Sequence, residues 1–417
     1  MVLNNLLPPN SEQHAFDPRH PNREHDFNTT NFHTHGWHIS PAGNSDNVLI
    51  KLDPGKRLTY EFNLPRDHPA GTFWYHPHRH GSTSIQVASG MGGALIVAGG
   101  LDNEPTIASA EDQIMILQQI PYETRDGLGV LEHFSHLQGD YKCGPKANPI
   151  NPCPIFVNGQ KRPVIAMRPG EVQRWRFIQA GIMRVVLLSL ENHDLHVIAW
   201  DGLATGRIDA EPNVELAPGN RADILVKAGR AGRYKLMVRT QRPTGGSAAS
   251  LRLSQPSLLA TLIVGGARRG MALPDSSALA KYKPFTDITP AQVNGHNKDV
   301  IFAKKPRNAF NFYNINGERF DANKVGYTLK LGAYEQWKLT SDEQNHPFHI
   351  HVNPFMVTKI GDRDLNPPRW MDTILVRRDE PVVMYTHYRR YIGNFVFHCH
   401  FLNHEDRGMM WLVEIVP

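Results

Sequence analysis

Short runs of alternating hydrophobic and polar residues dominate this sequence, and they have the length and β-branched content of strands. In the middle of the chain, turn dipeptides such as Asn158-Gly159, Pro169-Gly170 and Asp201-Gly202 separate the runs. The strands predicted there cover residues 113–118, 163–167, 172–178, 185–190, 195–200, 222–226 and 259–264. The pattern therefore predicts an all-β protein.

A short motif, a turn followed by a strand, recurs about once in each third of the chain. Its copies begin at Pro54-Gly55, Pro169-Gly170 and Leu331-Gly332, and Asn316-Gly317 likewise echoes Asn158-Gly159. Such repetition is typical of a duplicated β-sandwich. We therefore expect three consecutive Greek-key β-sandwich domains, over residues 1–100, 101–267 and 268–417.

Composition and charge narrow the class of protein further. The chain has 417 residues, of which 40% are hydrophobic and 20% charged, as in an ordinary soluble protein. The net charge of +5 comes without a dense run of Lys and Arg among aromatic residues, so we predict no nucleic-acid partner. No apolar run reaches the roughly 18 residues of a membrane span, and the N-terminus lacks the pattern of a signal peptide.

The chain contains only three cysteines. Cys143 and Cys153 bracket one loop and can form a disulfide in an oxidising compartment, but two free thiols fit the sequence as well. The third, Cys399, lies in a different environment, with His404 five residues later and Met409 ten residues later. This set lacks only one more histidine to supply a blue-copper site, with Met409 favoured over Met410 as the weak axial ligand.

His398 and His400 directly flank Cys399. If residues 396–401 form a strand, both histidines point to the face opposite the thiol. Such a segment can hold one metal on one face and offer two imidazoles to another metal centre on the other face. The short covalent path between them predicts electron transfer. The alternative is a buried apolar strand with incidental histidines.

Three upstream segments weaken that alternative, because they also concentrate histidine. Together with the last segment they hold ten of the 22 histidines: His33, His35, His76, His78, His346, His349, His351, His398, His400 and His404. A zinc enzyme uses three or four ligands, so this number predicts several metal ions. The pairs His133/His136 and His193/His196 of the middle section lack the alternating spacing, and we interpret them as structural or surface residues. We therefore expect the middle domain to be a spacer without metal ligands.

In order and spacing, the four segments resemble the copper-binding motifs of the multicopper oxidases, a family that includes laccases and cuprous oxidases. The resemblance covers nearly the whole chain and implies three cupredoxin domains, with four copper ions per chain. It implies that His346, Cys399, His404 and the axial Met409 bind the type 1 copper. It assigns His33 and His349 to the type 2 copper, His35, His76 and His400 to one type 3 copper, and His78, His351 and His398 to the other. His38 and His80 would only support the ligands or the fold.

The resemblance also implies a reaction. A small reducing substrate would give single electrons to the type 1 copper through His404 or His346 near the surface. Cys399 would pass them to a three-copper cluster between the first and third domains, where O₂ is reduced to two waters. Glu405 and Asp46 occupy positions similar to the proton-relay acids of the family, although solvated surface carboxylates are the alternative. We expect a monomer.

The chain departs from the family at its start. Relatives usually carry an export signal and several strands before the first histidine motif, whereas here residues 2–7 look like the tail of such a strand. We therefore expect a start at an internal methionine or a truncated first domain, and a periplasmic or secreted location rests on the resemblance alone.

The substrate has to be predicted from weaker signals. The 12 methionines are scattered and form no Met-rich insertion like that of cuprous oxidases, which favours phenols or aromatic amines over Cu(I). The segment between Val357 and Thr373 fits either a border of the donor site or an ordinary surface loop. Two other functions fit less well. A nitrite-reductase-like enzyme lacks the His-Cys-His doublet. A non-enzymatic cupredoxin-fold protein is either a structural relative that has lost ligands, none of which is lost here, or a copper-sequestering protein, which would bind copper without consuming O₂.

Overall fold

The computed structural model describes residues 1–120, 122–125, 128–131, 154–241, 253–307 and 310–417. Strands account for most of its regular structure, which confirms the predicted all-β class. Cys143, Cys153, His133 and His136 lie outside the described residues. Within the described ranges, every helix is too short or too polar to cross a membrane.

The first section forms two small sheets. Its strands are β1 Val2–Asn4, β2 His33–His35, β3 Arg57–Thr59, β4 Gly71–His76 and β5 Gly93–Val97, and helix α1 is Thr83–Ala88. β1 pairs with β3, and β4 lies between β2 and β5 in an antiparallel sheet. The pairing of β2 with β4 sets His33 opposite His76, so the first two histidine segments lie side by side.

The middle section forms a two-layer sandwich. Its elements are α2 Pro105–Ala108, β6 Glu111–Gln119, β7 Tyr122–Arg125, β8 Leu128–Leu131, β9 Ile155–Val157, β10 Val164–Met167, β11 Val172–Gln179, β12 Val185–Leu190, β13 Leu195–Trp200, β14 Leu203–Glu211, β15 Val214–Leu216, β16 Arg221–Lys227, β17 Gly232–Gln241 and β18 Ser257–Val264. One sheet has the order β14-β13-β16-β11-β6-β9 and the other β10-β18-β17-β12-β15. Trp175 and Val197 of the first sheet and Leu188 and Leu236 of the second belong to the core between them.

The third section repeats this architecture. Its elements are α3 Ser276–Leu279, β19 Lys298–Arg307, β20 Phe310–Ile315, β21 Val325–Lys330, β22 Tyr334–Ser341, β23 His346–Ile350, β24 Phe355–Ile360, β25 Arg363–Met371, β26 Thr373–Val376, β27 Val382–His387, β28 Gly393–Cys399, α4 Leu402–Asp406 and β29 Met410–Val416. The sheet orders are β20-β19-β22-β27-β24-β25 and β21-β29-β28-β23-β26. Short 3₁₀ turns at Glu12–His14, Gly100–Asn103, Ala280–Tyr282 and Pro290–Gln292 complete the regular elements of the described residues.

The motif of a turn followed by a strand has the same structure in the middle and third sections. Gly170 and Gly332 make the turn with φ of 77° and 81°. The following strands, β11 and β22, each pair with one parallel and one antiparallel neighbour. The indole N–H of Trp175 donates to the side chain two residues earlier (3.0 Å), and that of Trp337 does the same (3.2 Å). The repeat therefore reflects two copies of one fold.

The structure corrects two local expectations. The strand predicted over 396–401 is β28, and it ends at Cys399, so His400 lies just beyond the strand. Most of the segment between Val357 and Thr373 is not a loop, because Arg363–Met371 form the edge strand β25. The seven strands predicted in the middle section are all present, with ends shifted by two residues at most.

Leu188→Ala is expected to lower the free energy of unfolding by about 2–5 kcal/mol, because Leu188 is fully buried in the middle core and its removal leaves a cavity. Urea denaturation measures the change. Val164→Ala is the control in the same sheet, since Val164 is 60% exposed and should cost less than about 0.5 kcal/mol. Equal losses in both variants would contradict the assigned core.

Candidate metal centres

The first and third sections bring their histidines together face to face. The pairing of β23 with β28 sets His349 opposite His398, just as β2 and β4 pair in the first section. Across the boundary, the rings of His33 and His351 stack with centroids 3.9 Å apart, and those of His35 and His349 with centroids 3.8 Å apart. Four distant segments thus contribute to one buried cluster.

Within this cluster, the histidines fall into groups whose ring nitrogens lie within 4.8 Å of one another. The groups are His33, His35 and His349; His35, His76 and His400; and His78, His351 and His398. The last two coincide with the two sets assigned to the type 3 coppers, and the first contains the pair assigned to type 2. We refer to these eight residues as the trinuclear group, after the three-copper cluster that the sequence resemblance implies.

Several ring nitrogens of this group have a geometry that fits a metal ion. His33, His76 and His349 each have their Nδ1 within 3.0 Å of an oxygen acceptor, which places the proton on Nδ1. Their Nε2 atoms are buried without a hydrogen-bond partner. A buried lone pair without a donor is unfavourable, and a metal ion would satisfy it. The donor set therefore fits the copper that the sequence predicted.

Protonation of several histidines of the group is suppressed by their environment. Burial, reinforced by neighbouring imidazoles, holds the pKa of His33, His76 and His398 well below the usual value. Burial likewise lowers the pKa of His78 to about 4. At neutral pH these rings are neutral, which is the form that binds metal ions.

A second cluster surrounds Cys399. The Nδ1 atoms of His346 and His404 lie 3.4 Å and 3.7 Å from the Cys399 sulfur and 3.2 Å from each other. Burial lowers the pKa of His346 to about 3 and raises the pKa of the free thiol. The sequence predicted that His346 or His404 lies near the surface, but their exposed fractions are 0% and 1%. We refer to these three residues as the mononuclear group.

Glu405 and Asp46 lie beside the trinuclear group and are not solvated surface carboxylates. The Glu405 oxygens lie 3.4 Å from His78 Nδ1 and 3.1 Å from His398 Nδ1. Asp46 accepts a hydrogen bond from His33 Nδ1 at 3.0 Å and one from the Thr34 amide at 2.8 Å. Burial raises the pKa of the Asp46 carboxyl to about 7 and also raises the pKa of Glu405.

Sequence reasoning missed a third buried acid, Asp372. Its Oδ1 lies 3.2 Å from His35 Nε2, and its main-chain oxygen accepts from His349 Nδ1 at 2.8 Å. Burial acts to raise the pKa of Asp372, but its ion pair with Arg221 outweighs burial and the net shift is downward. Neither Asp372 nor Arg221 lies in a histidine motif, so spacing gave no signal for them.

Comparison with known families decides the family of this chain. Three multicopper oxidase domain models match residues 22–101, 111–255 and 287–417, one in each predicted domain. The chain belongs to the multicopper oxidase family. Membership implies an oxidoreductase that binds copper, so the metal predicted from the sequence is confirmed.

Relatives support this membership along most of the chain. A multicopper oxidase from Staphylococcus haemolyticus is 25% identical over 403 residues, which cover 94% of this chain and 77% of the relative. The cell division protein FtsP from Dickeya dadantii is 25% identical over 366 residues, covering 83% and 70%. The solved structure of a laccase-like multicopper oxidase from Ochrobactrum sp. superposes with a TM-score of 0.75 at 23% identity, covering 93% and 85%. This likeness confirms the fold class of three cupredoxin domains.

In this multicopper oxidase, the two methionines proposed for the axial position have different surroundings. Met409 packs in the core cluster that contains Cys399 and Phe401, and its main-chain oxygen accepts from the Cys399 amide at 3.0 Å. Met410 packs in another cluster, with Val48 and Phe320. The packing favours Met409, in agreement with the spacing.

Met409→Leu is expected to keep the blue colour of the copper-loaded protein and to raise its reduction potential, because an axial ligand tunes the potential without supplying the thiolate. Redox titration of the blue absorption measures the shift. Met410→Leu is the control, because its side chain packs away from Cys399. An equal shift in both variants, or a shift in Met410→Leu alone, would contradict the axial assignment.

The remaining predicted histidines of this oxidase lie outside both groups. His38 Nδ1 lies 2.8 Å from the Val352 oxygen, and His80 Nε2 lies 3.1 Å from the side-chain oxygen of Asn22. His193 accepts from the Gly229 amide at 3.1 Å. These contacts fit the predicted supporting and structural positions.

Proposed function

We propose that this protein couples four one-electron oxidations of a phenolic or aromatic-amine donor to the four-electron reduction of O₂ to water. When bound, copper would accept single electrons at the mononuclear group and reduce O₂ at the trinuclear group. The protein's own residues hold these centres, connect them and supply protons. Periplasmic or secreted location and a monomeric state belong to the same proposal.

One observation carries the proposal: Cys399 of the mononuclear group is covalently bonded to His398 and His400 of the trinuclear group. His398 faces His349 across the sheet, whereas the Cys399 sulfur faces His346 and His404. A storage site for copper has no need of such a connection. The link gives electrons a path of a few covalent bonds between the two groups.

We assign the ligands as the sequence predicted. The mononuclear ligands are His346, Cys399, His404 and Met409; the type 2 ligands are His33 and His349; the type 3 ligands are His35, His76 and His400 for one ion and His78, His351 and His398 for the other. The unpartnered Nε2 atoms of His33, His76 and His349 support this assignment. The acceptors on Nδ1 fix their tautomers before any metal binds.

Glu405 and Asp46 are proposed to hold and move the protons that O₂ reduction consumes. Glu405 is fully buried between His78 and His398, and Asp46 is 3% exposed beside His33. Both carboxylates thus border the trinuclear group from different sides. This placement, and not their position in the sequence alone, supports proton transfer to the cluster.

Oxygen uptake by the copper-loaded protein tests the proposed function. The donors are a phenol, an aromatic amine and Cu(I), supplied separately at equal concentration. We expect uptake of one O₂ for every four electrons, with phenol and amine as the better donors. If O₂ uptake is faster with Cu(I) than with either organic donor, the protein is a cuprous oxidase instead. A blue protein that consumes no O₂ with any donor would indicate a non-enzymatic copper-binding protein.

A further inference from the structure

Arg221 of the middle section pairs with Asp372, which borders the trinuclear group. Arg221 is fully buried at the start of β16, and each donor nitrogen of its guanidinium has acceptors. Nη1 donates to Asp372 Oδ1 and the Gly219 oxygen, each at 2.8 Å, and Nη2 donates to Asp372 Oδ2 at 2.6 Å and the Asp201 oxygen at 2.8 Å. Nε donates to the Thr72 oxygen at 3.3 Å. The five N–H groups of arginine are all used, on acceptors from all three sections.

Asp372, the partner of Arg221, determines which nitrogen two ligands present. His35 Nε2 donates to Asp372 Oδ1, and His349 Nδ1 donates to the main-chain oxygen of the same residue. The opposite nitrogens, His35 Nδ1 and His349 Nε2, are buried without a hydrogen-bond partner. These contacts leave the lone pairs of both rings available to a metal ion.

The middle section also holds the main chain on which Asp372 lies. Asp201 Oδ2 accepts from the amides of Asp372 and Thr373 at 3.1 Å and 3.0 Å. The Asn220 side chain donates to the Thr373 oxygen at 2.8 Å and to Asp201 Oδ1 at 3.1 Å. Both the side chain and the main chain of Asp372 are therefore fixed by residues of another section.

Gly219, whose main-chain oxygen accepts from Arg221, lies directly against the histidines of the trinuclear group. Its φ is +94°, and a Cβ atom there would lie 3.0 Å from His400 Cδ2 and 3.2 Å from His35 Cε1. A side chain at this position would therefore press on two proposed ligands. The loop leaves space for the imidazoles only because residue 219 is glycine.

We propose that Arg221 is a positioning residue of the trinuclear group, which fixes Asp372 and, through it, the orientation of His35 and His349. This inference rests on the proposed function, because it assumes that the eight histidines bind copper. It adds a function to the middle section, which the sequence predicted to be a spacer without copper ligands. A bidentate pair suits this purpose, since it fixes a carboxylate in both angle and distance.

Arg221→Met in the full chain tests the inference. After copper loading we expect the blue absorption of the mononuclear group to remain, while copper per chain falls and the type 2 signal in electron paramagnetic resonance changes or disappears. Turnover should fall about 10- to 100-fold, as for other residues that orient metal ligands. Arg221→Lys keeps the charge but has only three donors, so we expect intermediate copper content.

Arg174→Met is the matched control. Arg174 is also a buried arginine of the middle section and pairs with Asp223 and Asp102, each at 2.5 Å, without a contact to the trinuclear group. It should keep the copper content and the type 2 signal of the wild type. Thermal unfolding of the copper-free proteins measures the loss of stability in both variants.

The outcomes separate this inference from the proposed function. A folded Arg221→Met variant with wild-type copper content and type 2 signal would overturn the inference, while the wild-type activity stands. Wild-type protein that binds no copper at the trinuclear group would instead overturn the proposed function.

If Arg221→Met does not fold, Arg221→Lys decides. It keeps the buried charge but has two fewer N–H donors, and it cannot reproduce the bidentate pair with Asp372. An Arg221→Lys variant with wild-type copper content and type 2 signal would overturn the inference.

Discussion

Cys399→Ser is expected to abolish the blue absorption and to lower oxygen uptake by about 1000-fold, a loss of about 4 kcal/mol in transition-state stabilisation. The sulfur is the only thiol among the described residues and lies within 3.7 Å of both His346 and His404. A serine hydroxyl is a poor ligand for copper and a poor mediator of electrons. Absorption spectroscopy and an oxygen electrode on copper-loaded protein measure both losses.

The copper content of this variant makes the prediction specific. Because the trinuclear group does not include the sulfur, Cys399→Ser should lose about one copper ion per chain and keep the others. Loss of all copper would show that the two groups do not fill independently. Unchanged oxygen uptake would contradict the electron path through Cys399 and, with it, the proposed function.

The candidate site could be predicted from sequence because its proposed ligands lie in short motifs. His33 and His35 are two residues apart on one strand, so alternation alone places both rings together. For Cys399 and its flanking histidines the same alternation sends the thiol and the imidazoles to opposite faces. In the structure the thiol and the two imidazoles still belong to different groups, even though β28 ends at Cys399.

Residues that orient the ligands could not be predicted in this way. Arg221 and Asp372 meet across 151 positions of sequence, and each lies in an otherwise ordinary run. Their pairing depends on how the middle and third sections pack, which no local pattern encodes. The burial of Glu405 and Asp46 has the same origin, so sequence left open whether they were surface carboxylates.

The limits of strand prediction have a related cause. Strands that are apolar throughout and mostly buried, such as β12, stand out in the sequence, and the predicted ends of β12 match the observed ones. β17, in contrast, alternates Arg, Lys and Arg with apolar residues over Gly232–Gln241, and its charged residues obscured it. Long-range pairing with β12 and β18 stabilises this strand, and that contribution is invisible in the local sequence.

Glu405→Gln is expected to slow O₂ reduction by about 100-fold or more while the blue absorption stays intact. The substitution keeps the size of a fully buried side chain that lies 3.4 Å from His78 Nδ1 and 3.1 Å from His398 Nδ1, but an amide cannot take up and release protons at neutral pH. Reduction of the blue centre by a donor without O₂ should keep its wild-type rate. Stopped-flow spectroscopy under both conditions separates the two steps.

Glu335→Gln is the matched control, because Glu335 is also a buried glutamate of the third section. It accepts hydrogen bonds from Trp337 and Tyr388 and lies among the core residues of β22, outside both metal groups. A similar slowing in both variants would trace the effect to the loss of a buried carboxyl group in general. Slowing confined to Glu405→Gln, with copper content unchanged, would show that protons reach the trinuclear group from the helix that follows Cys399 and His400. The same short segment would then supply both the electron path and the proton donor.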